Sequence, residues 1–141
     1  MYLTHQNNQY VGTITFIEKQ NKIHLKTNLR NLPPGIHGFH IHEKPSCQIH
    51  GKSAKGHWDP YKTNAHKGPN GNGHLGDLPY LSVNKKGKTK QNFSITHIKK
   101  DISHHALIIH EHGDNYSDTP KKLGGGGARI ACGIIGNPNY D

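Results

Sequence analysis

Six histidines and one aspartate fall where their side chains can be gathered. His40 and His42 lie in the run GFHIHE, and His110 ends the apolar run ALIIH. His57, His66, His74 and Asp77 lie in a stretch dominated by Gly, Pro and Asn. Neutral imidazole is the commonest metal ligand in proteins, so the chemistry this pattern suggests is metal binding, with enough donors for two adjacent sites. In a strand, residues i and i+2 point to one face, roughly 7 Å apart. Phe39 and Ile41 are therefore expected to face a core while His40 and His42 face outward together. In ALIIH, Leu107 and Ile109 face inward and His110 outward. Three imidazoles on the outside of rigid strands can converge on one ion. A solvated, unpaired histidine is the ordinary state of any one of them alone, and pairing beside a histidine-rich loop weakens that reading.

The loop donors have their own spacing. His57, His66, His74 and Asp77 offer three imidazoles and a carboxylate, a closed tetrahedral set suited to zinc. Copper favours imidazole nitrogens in a tetragonal arrangement. His40, His42 and His110 supply three, and His57 is the nearest candidate in sequence for a fourth. An imidazole has two ring nitrogens, so a doubly deprotonated His57 can bind one metal through each.

These residues need a scaffold. A chain of 141 residues is most simply one domain, here residues 1–141. Only 30% of residues are apolar, with 17 Gly and 8 Pro, but the apolar residues are grouped in short runs between turn residues. That is the pattern of an all-β domain. Strands are expected over 9–18, 22–29, 36–43, 78–83, 91–98, 106–110 and 129–135, with a hairpin turn at Lys19–Asn21. No segment has a helical period. Two long loops remain, from Pro45 to Pro79 and over 113–128, and structureless loops of this length are normally functional. Seven or eight short strands with two functional loops predict a Greek-key β-sandwich or flattened eight-stranded barrel.

Charge and cysteine content bound the setting. The formal charge of +9 attracts anions. No run approaches the length of a membrane span, and MYLTHQNNQY lacks the apolar core of a signal peptide, so the sequence leaves open a mature exported form or a cytoplasmic protein. Cys47 and Cys132 are either two buried thiols or one long-range disulfide. Such a bond closes a loop of about 85 residues, restricts the unfolded chain by roughly 4–5 kcal/mol on the entropy account, and needs an oxidising compartment.

The runs LPPGIHGFHIHEKPSC, GHWDP, AHKGPNGNGHLGDLP, ALIIHEHGDNYSDTP and LGGGGARIACGII together resemble copper/zinc superoxide dismutases, the bacterial type more than the animal type. They cover the chain from about residue 29 to 136. The resemblance implies one copper, held by His40, His42, His57 and His110, and one zinc, held by His57, His66, His74 and Asp77, with His57 bridging. It implies a Cys47–Cys132 disulfide. Arg129 matches the arginine that holds the anionic substrate beside copper, and Asp114 the carboxylate that hydrogen-bonds ligands of both metals. Without the matched motifs, Arg129 reads as a solvated strand-end arginine and Asp114 as a turn former. The implied activity is disproportionation of superoxide to dioxygen and hydrogen peroxide by copper cycling between two oxidation states, His57 delivering a proton as its bond to copper breaks. A periplasmic or otherwise exported setting follows from the same likeness, and a homodimer is allowed by it. The stretch from Cys47 to His57 is shorter than is usual in the bacterial group, which bears on the dimer-forming subloop.

Rival readings are few. A redox-silent copper- and zinc-holding or copper-buffering protein on the same fold would tolerate loss of a copper ligand or of Arg129, and neither is lost. A nucleic-acid-binding protein needs clustered basic residues with stacking aromatics, whereas the lysines here are scattered, so neither nucleic acid nor membrane is expected as a partner. Lys55, Lys62, Lys67, Lys121 and Lys122 lie in the two loops and are candidates for steering an anion. His50, His97, His104, His105 and His112 read as solvated, the last three near enough to the copper strand to take adventitious metal.

Overall fold

Alternation in GTITFIEK and KIHLKTNL produces the longest ladder of the molecule. In the computed structural model, which describes residues 1–5, 9–20, 22–68, 73–98, 101–117 and 125–136, strands β2 (Gly12–Lys19) and β3 (Lys22–Leu29) pair antiparallel from Gly12 opposite Leu29 to Lys19 opposite Lys22. That register leaves two residues for the turn, and Gln20 has φ +54°, as short hairpin turns demand. Asn21 lies outside the described residues. The inward residues of β3, Ile23, Leu25 and Leu29, are buried, while β2 at the sheet edge buries only Gly12 fully.

The described residues form nine strands in three antiparallel sheets. β1 (Tyr2–Leu3), β9 (Arg129–Ile135), β8 (His105–His110) and β5 (Phe39–His42) make a four-stranded sheet in that order. β2, β3 and β7 (Asn92–Ile95) make a second sheet, and β4 (Gly35–His37) with β6 (Leu81–Val83) a third. Neighbours far apart in sequence, as in β1-β9-β8-β5, are the mark of Greek-key connectivity. One core joins the layers: Phe39, Ile41, Leu107 and Ile109 from one sheet meet Ile23, Leu25, Leu29 and Ile95 from another. The fold is the expected all-β sandwich. It differs in detail, because Gly38 divides the expected strand 36–43 into β4 and β5, and the N-terminus adds β1 against β9.

The first long loop is laid along the free edge of β5. Trp58 N–H donates to the Ile41 carbonyl, Ile41 N–H to that of Gly76, and Gly76 N–H to that of Trp58. This sets His57 opposite His42 and Asp77 opposite His40. Gly76 permits the approach: a Cβ there would sit 2.3 Å from the Ile41 carbonyl oxygen. The same loop holds a short 3-10 turn, Lys52–Ala54, and is pinned to β9 by the Cys47–Cys132 disulfide, Cα atoms 5.8 Å apart. Ala54, Ala106, Ile108 and Cys132 form a small second cluster beneath it.

This cover corrects one expectation. His40, His42 and His110 do lie on the side of their strands away from the main core, but none is at the surface, being 0%, 0% and 5% exposed. A register shift at Ile109/His110 turns the end of β8 and brings His110 opposite Arg129 on β9.

Candidate metal centre

The ring nitrogens reveal what the cluster is built to hold. His42 donates its Nδ1–H to the Lys55 carbonyl at 2.8 Å, and His110 its Nδ1–H to that of Gly127 at 3.2 Å. Both Nε2 atoms are therefore lone-pair acceptors, yet they face each other at 3.3 Å. Two acceptors at that separation have no proton to share, and a cation between them answers the conflict. His40 is engaged the other way round, donating Nε2–H to Asp114 Oδ2 at 2.7 Å and leaving a buried Nδ1 with no hydrogen-bond partner. His57 directs Nδ1 to Asp77 Oδ1 at 2.8 Å and leaves Nε2 buried and equally unpartnered. Four imidazoles thus offer one nitrogen each, and the donor atoms of His40, His42, His57 and His110 all lie within 4.8 Å of one another. A buried polar atom without a partner costs about 1–3 kcal/mol, so such a cluster is explained by a ligand and not by packing.

The second group lies on the other side of the same ring. His66 places Nδ1 2.6 Å from Asp77 Oδ2, and His74 places Nδ1 3.3 Å from His57 Nδ1 and 3.7 Å from Asp77 Oδ2. The tightest foursome here is His40, His57, His66 and Asp77, with His74 standing slightly off and leaning toward Asp59 at 3.9 Å. The sequence reading put His74 in this set and not His40. Because the His40 Nε2–H is committed to Asp114, that ring has a single nitrogen to offer and serves one site only. His57 is central to both groups, its ring centroid 4.0 Å from that of His40, 4.9 Å from His42, 5.2 Å from His66 and 5.1 Å from His74.

Electrostatics follow from burial and the two carboxylates. Burial, with neighbouring imidazoles, pushes His42 and His110 well below the usual histidine range. Burial takes His57 down to about 4, the nearby His40 adding to the effect. These rings are neutral, as ligands must be. Burial also opposes charge on His66, but hydrogen bonds to Asp114 and Asp77 outweigh it and raise the ring to about 9. Carboxylates that favour a proton there favour a metal cation equally. For Asp77, hydrogen bonds from His57, His66 and His74 overcome burial and hold the carboxyl well below the carboxylate range. Asp114 joins the two groups, taking His40 on Oδ2 and His66 on Oδ1, each at 2.7 Å.

Arg129 is half-buried beside the first group. Its Nη1 donates to the Gly51 carbonyl at 2.6 Å and its Nη2 to that of Lys55 at 2.5 Å. Lys55 thus accepts from both His42 and Arg129, a link with no sequence signal because the acceptor is backbone. Three further histidines that were read as solvated each hold a backbone carbonyl, His50 while staying exposed and His97 and His105 half-buried. His50 donates to the Thr4 carbonyl at 2.7 Å, His97 to that of Leu75 at 3.1 Å, and His105 to that of Glu43 at 2.8 Å with its ring on Trp58. His37, passed over in the sequence, is buried with Nδ1 2.8 Å from the His110 carbonyl. Lys121 and Lys122 lie outside the described residues.

Known proteins resemble this chain in sequence and in fold. A family profile described as "Copper/zinc superoxide dismutase (SODC)" matches residues 10–135. A "Superoxide dismutase [Cu-Zn]" of Brucella abortus is 48% identical over 135 residues, 89% of this chain and 78% of the relative, and one of Escherichia coli is 47% identical over 137 residues, 90% and 79%. Among solved structures, a Brucella abortus Cu/Zn superoxide dismutase superposes with TM-score 0.87 at 45% identity, covering 95% of this chain and 94% of that one. A Salmonella enterica enzyme described as monomeric gives TM-score 0.78 at 44% identity, covering 90% and 89%. Profile, sequence and fold agree over most of the chain, which belongs to the copper/zinc superoxide dismutase family.

Proposed function

We propose that His40, His42, His57 and His110 hold copper, that His57, His66, His74 and Asp77 hold zinc, and that the pair serves disproportionation of superoxide to dioxygen and hydrogen peroxide. The observation that carries this reading is the position of one ring, with His57 Nδ1 on the Asp77 side and its buried Nε2 unpartnered. When bound, copper supplies a one-electron couple and zinc a redox-inert charge. The protein's own part is positional. The Lys55 and Gly127 carbonyls fix the tautomers of His42 and His110, and Asp114 fixes those of His40 and His66. The Lys55 and Gly51 carbonyls aim the Arg129 guanidinium, which keeps further N–H donors for an anion and binds it by a charge-assisted hydrogen bond. His57 Nε2 is the atom at which a proton can be held for the product peroxide.

Retention of Arg129 opposite His110 favours the enzyme over a metal store. Both ligand sets lie within one chain, so the homodimer that the family resemblance allows is not needed to complete either. Residues 1–141 are read as one domain, since one core draws on strands from β1 to β9. No helix among the described residues is long and apolar enough to cross a membrane. We assign the protein to an oxidising, periplasmic setting on the strength of its disulfide. Elemental analysis of purified protein beside a superoxide-consumption assay tests the reading. One copper and one zinc per chain with rapid consumption is the expected result, and full metal content without consumption would favour a storage protein.

A further inference from the structure

Tyr116 makes three attachments that no ligand role accounts for. Its backbone N–H donates to Asp114 Oδ1 at 2.8 Å, the same oxygen that accepts from His66 Nε2. Its hydroxyl accepts the Tyr80 N–H at 3.1 Å, and the two rings stack with centroids 5.8 Å apart. Its side chain fills the space over Gly68, where a Cβ would come within 2.5 Å of the Tyr116 Cβ. Gly68 follows His66 by two residues, and Tyr80 follows Asp77 by three. One residue outside the loop therefore touches the chain next to both of these ligands, and also the carboxylate that orients one of them. The backbone of Tyr116 has φ +62°, a conformation that side chains with a Cβ adopt at a cost and that persists when surrounding contacts enforce it.

We propose that Tyr116 is a positioning residue that clasps the zinc-side loop shut, with its N–H fixing Asp114 and its ring, seated on Gly68 and bonded to Tyr80, fixing the chain that carries His66 and Asp77. The proposal rests on the zinc-ligand assignment given above. It concerns placement of ligands, not chemistry at copper.

The test uses the full chain loaded with Co(II) at the zinc-side site, whose visible absorption reports ligand geometry, together with the rate at which bound zinc passes to a chelator. A His66→Ala control establishes that the signal belongs to this site. If that control leaves the wild-type Co(II) spectrum unchanged, the ligand assignment fails, and the clasp with it. With the control satisfied, Tyr116→Ala is expected to alter the Co(II) spectrum and to speed zinc release about tenfold, in the range typical for residues that orient ligands. Tyr116→Phe keeps the ring on Gly68 and should restore most of the wild-type spectrum. Gly68→Ala should speed zinc release in the wild type and do so less in a Tyr116→Gly background, which lacks the Cβ that the new methyl group would meet. A Tyr116→Ala protein whose Co(II) spectrum and zinc release match the wild type would overturn the clasp while leaving the ligand assignment intact.

Discussion

On the assignment proposed above, the two nitrogens of His57 serve different metals, so its removal is felt twice. His57→Ala is expected to lower the affinity for both metals, and metal analysis after dialysis should find both depleted. Loss of one metal alone would mean that the ring belongs to one site. Asp114 offers a sharper contrast, because its two oxygens accept from His40 and His66, one from each of the two proposed sites. In Asp114→Asn one of those oxygens becomes an N–H donor facing another donor. About 10- to 100-fold weaker metal retention is expected, as for other groups that orient metal ligands, measured by chelator competition. Arg129 touches backbone carbonyls and no ligand side chain. Arg129→Ala should therefore keep both metals and lose one charge-assisted hydrogen bond to the anion, about 1.5–3 kcal/mol or roughly 10- to 100-fold in kcat/KM. Unchanged kcat/KM would remove Arg129 from substrate binding. At this scale much was legible in the sequence, since histidine spacing and the surrounding motifs drew attention to His40, His42, His57, His66, Asp77 and His110, the groups the structure brings together, while His37 and Tyr116 carried no such signal. What it hid were acceptors made of backbone, such as the Lys55 carbonyl, because any residue type can supply one.

The edge of β5 is the element on which the site is assembled. A strand of four residues presents two imidazoles on one face and accepts the loop along its free side, bringing His57 and Asp77 into register. Gly76 is where loop and strand come closest, and Gly76→Ala forces a Cβ against the Ile41 carbonyl. That overpacking should destabilise the protein by about 1–3 kcal/mol and loosen Asp77, read by chemical denaturation and by zinc retention. A Gly76→Ala protein as stable as the wild type would show that the loop is not docked so tightly. Elements were readable where alternation runs long, as in β2 and β3. They were not readable in β1, because two residues carry no period, and its pairing is decided by a partner far along the chain. Burial of His40, His42 and His110 was missed for the same reason: a strand pattern tells which face a residue occupies, not what later covers that face.

At the scale of the molecule, a long polar loop is held down by few covalent or apolar anchors. The Cys47–Cys132 bond ties it to β9, next to the segment whose Gly51 carbonyl holds Arg129. Cys47→Ser with Cys132→Ser is expected to cost about 2–5 kcal/mol in denaturant unfolding and to reduce kcat/KM, because Arg129 loses a fixed support. Equal stability with and without the bond would contradict that role. The account as a whole depends on a shared imidazole, and anomalous scattering at the copper and zinc edges from a metal-loaded crystal tests it most directly. It should locate zinc about 2.0–2.1 Å from His57 Nδ1 and copper within bonding distance of His57 Nε2. Two ions with no common ligand, or a single ion in the whole cluster, would contradict it.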